Sequence, residues 1–259
     1  MGAFAMGDNS NKIVFSGNRL RALCFNPTGS ELIVSFDHLR ERSTAGFAPP
    51  RALQFALEMG YAHLQVQTAQ NDWYLNNELN DLRFALARFS APFKAARAIG
   101  FSMGGYAALL MARELRLQQV LLVSPQISVL RNRVPWENRW SWVGDQIDSA
   151  LDRLDLPKGL SGVSLFDPFG VHEDRRHAWE IASLCPQIVP VAIPFGGHPA
   201  SAQLEKARLV RPLIESLVRG RSDPPTLHGL RRRMRAALPA YRASIKAARA
   251  VNFGTAALA

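Results

Sequence analysis

Short apolar runs alternate with helical patterns along most of the chain. Residues 12–15 and 19–25 are apolar runs joined by Ser16-Gly17-Asn18, which predicts a hairpin. Residues 31–36 follow as a buried strand. Further strands are predicted at 61–68, 94–99, 119–124, 163–166 and 187–193, and helices at 51–59, 79–89, 106–115 and 175–184. An antiparallel start followed by this alternation predicts an α/β fold with a doubly wound, mostly parallel sheet.

The alternation stops between residues 125 and 162, where we expect a small helical, cap-like insert. This segment contains Trp136, Trp140 and Trp142. Buried aromatic side chains mainly fill cores, so packing of the insert onto the body is the favoured interpretation. An aromatic floor for a sugar ring is the alternative, with Trp136 as a candidate pocket residue.

The C-terminal part of the chain carries most of its charge. The net charge is +10, and residues 205–259 contribute +9, from twelve Lys or Arg and three acidic residues. Apolar residues recur there every three or four positions, which predicts an amphipathic helix with a basic face. We therefore predict a domain over 12–218 and a basic helical extension over 222–259, with 222–225 as a linker. A helix docked on the body is favoured, and contact with a protein or an anionic surface is the alternative.

The sequence Gly100-Phe101-Ser102-Met103-Gly104-Gly105 contains a G-x-S-x-G motif between a predicted strand and a predicted helix. A sharp turn at this serine exposes its hydroxyl beside a helix N-terminus, where negative charge is favoured. Glycine is needed on both sides because the turn leaves no room for side chains. The motif predicts a nucleophile elbow and acyl transfer chemistry.

This elbow and the elements around it resemble the α/β-hydrolase superfamily over most of residues 12–218. Two segments, Asn-Asp-Trp-Tyr-Leu-Asn-Asn-Glu at 71–78 and Ser-Met-Gly-Gly-Tyr-Ala-Ala at 102–108, are similar to a bacterial subgroup associated with surface-glycan synthesis and secretion. The resemblance implies an esterase-like enzyme whose substrate carries acyl groups on a sugar.

A serine nucleophile needs a base that is itself oriented by a carboxylate. His198 follows the last predicted strand and is the expected base, with His172 and His177 as weaker rivals. Asp167 at a strand end is the favoured acid because such a position is rigid. Asp174, which could otherwise cap a helix, is the alternative acid.

The backbone N–H of Met103 is the expected first donor to the oxyanion, since it follows the nucleophile. The second donor should come from the loop after residues 32–35, which holds Phe36, Asp37 and His38. Trp73 and Tyr74 follow a strand at the same edge of the sheet and are candidate pocket residues.

The expected function is hydrolysis of a carboxylic ester or related acyl bond, in a small molecule or linked to a glycan, through an acyl-enzyme. An acyltransferase or thioesterase with the same triad, and a noncatalytic adaptor in a glycan-synthesis or secretion assembly, are the alternatives. The expected chemistry requires no cofactor and no metal. There is no apolar run long enough for an integral membrane segment and no basic leader, so we expect a cytoplasmic protein.

Overall fold

A computed structural model of the chain describes residues 11–40, 46–143 and 147–256. Part of the predicted insert, residues 144–146, and the end of the predicted extension, residues 257–259, lie outside the described residues. Within them, no helix combines the length and the apolar character needed to cross a membrane.

The described residues form a single eight-stranded sheet with the order β1-β2-β4-β3-β5-β6-β7-β8. The strands are β1 Lys12–Ser16, β2 Leu20–Phe25, β3 Leu32–Phe36, β4 Ala62–Thr68, β5 Ala96–Phe101, β6 Gln119–Val123, β7 Ser161–Phe166 and β8 Ile188–Ala192. β2 is antiparallel to both β1 and β4, and every other pairing is parallel. The predicted α/β class and mostly parallel sheet are confirmed.

Helices cover both faces of this sheet. They are α1 Gln54–Glu58, α2 Leu79–Ser90, α3 Met103–Leu110, α4 His172–Leu184, α5 Ala202–Lys206, α6 Val210–Val218, α7 Pro224–Ala237 and α8 Pro239–Ala256. Alternate residues of one strand face opposite layers, as a strand requires. In β6, Val120 and Leu122 belong to the core under α2 and α3, while Leu121 and Val123 belong to the core under α6 and α7.

Three predicted helices differ from those observed by three or more residues at one or both ends. The helix predicted at 51–59 spans only Gln54–Glu58. The helix predicted at 106–115 begins at Met103, directly after the serine of the elbow, and ends at Leu110. The helix predicted at 175–184 begins earlier, at His172, so that Asp174 lies in its first turn. Local helix propensity does not predict the first residue of such a helix, because tertiary contacts fix the turn that precedes it.

The insert contains less helix than the sequence predicts. Among its described residues, a short 3-10 helix at Ser149–Leu151 is accompanied by turns and irregular chain. The rings of Trp140 and Trp142 pack on that of Trp73, with centroids 5.4 and 6.2 Å away. These contacts hold the insert over the carboxyl ends of the strands.

The basic C-terminal residues form two helices, α7 and α8, separated at Leu238, rather than the single amphipathic helix that the sequence predicts. Both helices contribute to the core on one face of the sheet. Asp223 accepts a hydrogen bond from the backbone N–H of Thr226 at 2.8 Å and caps α7, so the residues predicted as a linker begin this helix. Apolar residues of α7 and α8 join the core formed by β6, β7 and β8; they are Leu227, Leu230, Met234, Tyr241 and Ile245. Arg232, Arg233, Arg242 and Lys246 are exposed. Contact between this basic surface and a protein or anionic surface stays a prediction.

Candidate active site

Ser102 lies at the turn between β5 and α3. Its φ of 50° and ψ of −120° are rare for a residue with a side chain. A Cβ on Gly100 would lie 2.2 Å from the carbonyl oxygen of Gly104, and a Cβ on Gly105 would lie 2.9 Å from Pro125 Cβ. The glycines of the motif are thus required by close backbone packing, as the sequence predicts.

Ser102 contacts a histidine, and that histidine contacts an aspartate; the two residues follow two other strands. Its Oγ is 2.7 Å from His198 Nε2, in the loop after β8. His198 Nδ1 is 2.9 and 2.8 Å from the two carboxylate oxygens of Asp174, in the first turn of α4. With Nδ1–H donated to Asp174, Nε2 keeps its lone pair and accepts the serine hydroxyl. This arrangement allows proton removal from Ser102.

Asp167, the acid favoured from the sequence, makes no hydrogen bond to His198 in the described residues; Asp174 lies in that place. Asp167 Oδ1 accepts the backbone N–H groups of Phe169 and Phe195, at 2.9 and 3.0 Å. Its Oδ2 accepts that of Gly197 at 3.0 Å. A rigid strand-end carboxylate therefore shapes the loop that carries the histidine. The reason is geometric: among the described residues, the turn into α4, and not the end of β7, brings a carboxylate to His198 Nδ1.

The Asp174 carboxylate is buried, with none of its side chain exposed. Burial by itself opposes ionisation, but hydrogen bonds from His198 and Ser124 and the positive charge of Arg139 lower the pKa of Asp174 below its usual value. The group is therefore a carboxylate at neutral pH and can stabilise positive charge on the imidazole.

Arg139 of the insert bridges Asp174 to a second buried carboxylate. Its Nη1 lies 2.8 Å from Asp174 Oδ1, and its Nε lies 3.1 Å from both oxygens of Glu137. Glu137 also lies 3.0 Å from His177 Nε2, while His177 Nδ1 accepts the N–H of Ile127. Both ring nitrogens of His177 therefore make hydrogen bonds to other residues. His177, the alternative base considered from the sequence, does not contact Ser102.

Gln126 is a buried neighbour of Ser102 that the sequence does not single out. Its Nε2 lies 3.4 Å from Ser102 Oγ and 3.2 Å from the carbonyl oxygen of Ser124. Its Oε1 accepts the indole N–H of Trp73 at 3.2 Å, which fixes the orientation of the amide. The sequence offered one sign of this contact: Gln126 is a polar residue that closely follows β6, and β6 pairs with the strand before the elbow.

The loop after β3 lies against the elbow. A Cβ on Gly104 would be 3.0 Å from the carbonyl oxygen of Asp37 and 3.1 Å from that of Phe36. The N–H of Asp37 donates to Val66 at 3.2 Å and is not free. The N–H of His38 makes no hydrogen bond within the described part of the chain. Burial raises the pKa of the Asp37 carboxyl, although Gln67 and Arg40 oppose the effect.

The predicted pocket aromatics are mostly packed. Trp73 and Tyr74 are fully buried. The Tyr74 hydroxyl donates to the carbonyl oxygens of Asp37 and Val66, both at 3.2 Å. Trp136 is partly exposed, and its ring centroid lies 4.5 Å from that of His177. Trp140, by contrast, lies against His198, with the two ring centroids 5.6 Å apart.

The fold is similar to that of MGS-M1, described as an α/β hydrolase enzyme from a Medee basin deep-sea metagenome library. The two share 14% identity over 89% of this chain and 99% of the other, with a TM-score of 0.51. The protein has the α/β-hydrolase fold.

Two other solved structures with this fold are similar to the chain. The capsule O-acetyltransferase of Neisseria meningitidis serogroup A is 15% identical over 79% of this chain and 93% of its own, with a TM-score of 0.56. The esterase Pf2001 of Pyrococcus furiosus is 15% identical over 85% of this chain and 95% of its own, with a TM-score of 0.50. No family model and no curated protein matches the sequence.

Sequence reasoning missed the polar groups around the predicted triad. Glu137 and Arg139 alternate with Trp136, Asn138 and Trp140 in a five-residue stretch, and this concentration of charge among tryptophans was the available signal. Asp174 and His177 lie one helical turn apart on the same face of α4. Their common burial could not be predicted, because the N-terminus of α4 was placed too late.

Proposed function

We propose that the protein is a serine-dependent enzyme that cleaves a carboxylic ester through an acyl-enzyme. The observation that carries the proposal is the line of contacts from Ser102 Oγ to His198 Nε2 and from His198 Nδ1 to Asp174. This arrangement, beside the N-terminus of α3, has the geometry that general-base activation of a serine requires.

In the proposed reaction, Ser102 Oγ attacks the substrate carbonyl carbon while its proton passes to His198 Nε2. The resulting imidazolium is stabilised by the Asp174 carboxylate. The oxyanion accepts a hydrogen bond from the N–H of Met103. The N–H of His38 is the candidate second donor, because the N–H of Asp37 already donates to Val66. The imidazolium then protonates the leaving alcohol, and the acyl group remains on Ser102.

The second half of the reaction repeats these steps with another nucleophile. A water molecule, deprotonated by His198, attacks the acyl-enzyme, and Ser102 recovers its proton when the acid departs. In acyl transfer, an acceptor alcohol replaces the water, and no other change in the residues is needed.

Transfer to an acceptor alcohol is the second candidate function, since the same contacts of Ser102, His198 and Asp174 serve either nucleophile. The similar fold of a capsule O-acetyltransferase agrees with a sugar hydroxyl as that acceptor. We extend the proposal to acyl groups carried by a glycan.

A fluorophosphonate probe tests the nucleophile. The full-length protein should be labelled, Ser102→Ala should not, and Ser244→Ala, which removes an exposed hydroxyl on α8, should be labelled like the parent. A folded parent that resists labelling would overturn the proposal.

Partitioning of the acyl-enzyme then separates the two candidates. With p-nitrophenyl acetate as donor, hydrolysis alone releases p-nitrophenol at a rate independent of added methyl glycosides. Acyl transfer instead yields acetylated glycoside in proportion to acceptor concentration.

A further inference from the structure

Residues 136–140 of the insert contact both partners of the nucleophile. We call these residues the 136–140 segment. Glu137 binds His177 of α4, Arg139 binds Asp174 of the same helix, and the Trp140 ring packs against His198. Asp174 and His177 are spaced so that both project from one face of α4. The segment is therefore attached to α4 at two points, and one of them is the carboxylate that orients the base.

We propose that Arg139 is a positioning residue, which holds the Asp174 carboxylate against His198 and offsets part of its charge, so that docking of the 136–140 segment also sets the behaviour of the base. This inference rests on the proposed function. It goes further by making a residue of the insert, outside the triad, part of how that triad is assembled.

The hydrogen bonds of Arg139 fix the position of Asp174. Asp174 Oδ1 is shared between Arg139 Nη1 at 2.8 Å and His198 Nδ1 at 2.9 Å, while Oδ2 contacts His198 at 2.8 Å. The guanidinium is planar, and its other edge is held by Glu137 through Nε and Nη2. Rotation of the Asp174 carboxylate away from the imidazole would therefore break a contact to a group that is itself immobilised.

Glu137 gives Arg139 this fixed position. The Glu137 side chain is fully buried and accepts hydrogen bonds from His177 and from the Arg139 backbone N–H. Burial opposes its ionisation, but the hydrogen bonds from His177 and Arg139 and the guanidinium charge lower the pKa of Glu137 to about 2. Glu137 is therefore an anion throughout the working pH range of an esterase.

The charges nearest the base are two carboxylates and one guanidinium. His198 faces the Ser102 hydroxyl from the elbow, Asp174 from α4, and Arg139 and the Trp140 ring from the insert. Glu137 and the buried His177, whose pKa is lowered by burial, lie behind Arg139. Arg139 Nη1 is only 3.4 Å from His198 Nδ1, so a positive charge lies beside the imidazole together with the Asp174 carboxylate.

Removing the positive charge of Arg139 and removing the negative charge of Glu137 should therefore move the pH profile of the labelling rate in opposite directions. Arg139→Gln removes the positive charge and should move the acidic limb of the labelling rate to higher pH, by about one unit. Glu137→Gln keeps the guanidinium but removes the anion that offsets it, and should move the limb to lower pH. A purely structural role would change the amount of folded protein without opposite displacements.

The test measures the rate of fluorophosphonate labelling of the full-length protein between pH 5 and pH 9. Arg133→Gln is the matched control, because Arg133 is an insert arginine that pairs with Asp152 and does not touch the triad. The acidic limb of the Arg133→Gln pH profile should coincide with that of the parent. The inference would be overturned if the acidic limb of Arg139→Gln or of Glu137→Gln coincided with that of the parent. It would also be overturned if Arg133→Gln moved the limb by the same amount.

A second measurement separates this inference from the proposed function. The His198 Cε1–H resonance, assigned by its loss in His198→Ala, can be titrated whether or not the protein labels. Relative to the parent, its midpoint should rise in Arg139→Gln and fall in Glu137→Gln, and either variant suffices if the other does not fold. If the parent is not labelled but the midpoints move in these directions, the proposed enzymatic function is refuted and the positioning role of Arg139 is supported. If the midpoints of both variants equal that of the parent, the positioning role is overturned.

If neither variant folds, Arg139→Lys keeps the positive charge but not the planar guanidinium, so it should leave the midpoint within about half a unit of the parent and slow labelling. A larger change of the midpoint, or a labelling rate equal to that of the parent, would overturn the inference.

Discussion

Both carboxylate oxygens of Asp174 lie within hydrogen-bond distance of His198 Nδ1, at 2.9 and 2.8 Å. No other carboxylate in the described part of the chain hydrogen-bonds this imidazole. Asp167, seven residues earlier, instead accepts backbone N–H groups in the loop that leads to the histidine. The two acids therefore have different expected effects on activity.

Asp174→Asn should reduce turnover of p-nitrophenyl acetate by roughly 10⁴-fold, because an amide favours the wrong imidazole tautomer. Asp167→Asn should reduce it far less and should lower the melting temperature, since one of the loop N–H groups loses its acceptor. Steady-state kinetics and thermal melts of both variants check this. Equal inactivation with unchanged melting temperatures would contradict the assignment.

Gly100→Ala should abolish labelling of Ser102, since the new Cβ would lie 2.2 Å from the carbonyl oxygen of Gly104 and the elbow must open. Gly229→Ala is the matched control. A Cβ there meets nothing within 4 Å, and alanine in a helix should raise the free energy of unfolding by about 0.5–1 kcal/mol. Urea unfolding and probe labelling measure the two effects, and a normally labelled Gly100→Ala protein would refute this account of the elbow.

Glu137 should make stability depend on acid pH. Its pKa is lowered from 4.5 to about 2 on folding, so its contribution is complete above 4.5 and is lost as the pH falls toward 2. The difference in unfolding free energy between the parent and Glu137→Gln should therefore shrink over that interval. Unfolding by urea at several pH values measures it, and a constant difference would show that Glu137 is not stabilised as an anion.

The C-terminal helices should be needed for stability. Met234 of α7 is fully buried in the core with β7 and β8, so Met234→Ala should cost about 2–5 kcal/mol of unfolding free energy. Arg233→Ala, at an exposed neighbouring position, should change it by less than about 0.5 kcal/mol. Removal of residues 222–259 should leave an unstable protein. A truncated protein that folds and melts like the parent would contradict this.

The sequence predicts most of the fold because local patterns carry it. The strands alternate with helices, and the glycines at 100, 104 and 105 allow the backbone contacts that the elbow requires. The resemblance at residues 100–105 led to the α/β-hydrolase fold. The insert was predicted less well, since its turns lack periodicity and its position depends on Trp140 and Trp142 packing on Trp73.

The sequence by itself determined the elbow, the succession of strands and helices along the chain and the pair of candidate acids. Only the tertiary structure decided between Asp167 and Asp174, because their places relative to His198 depend on how the chain turns into α4. It also brought Arg139, which Glu137 holds in place, to the Asp174 carboxylate, although Arg139 and Asp174 are 35 positions apart in sequence. Long-range polar contacts of this kind follow from packing that no local pattern encodes, so their residues could be named only once the fold was known.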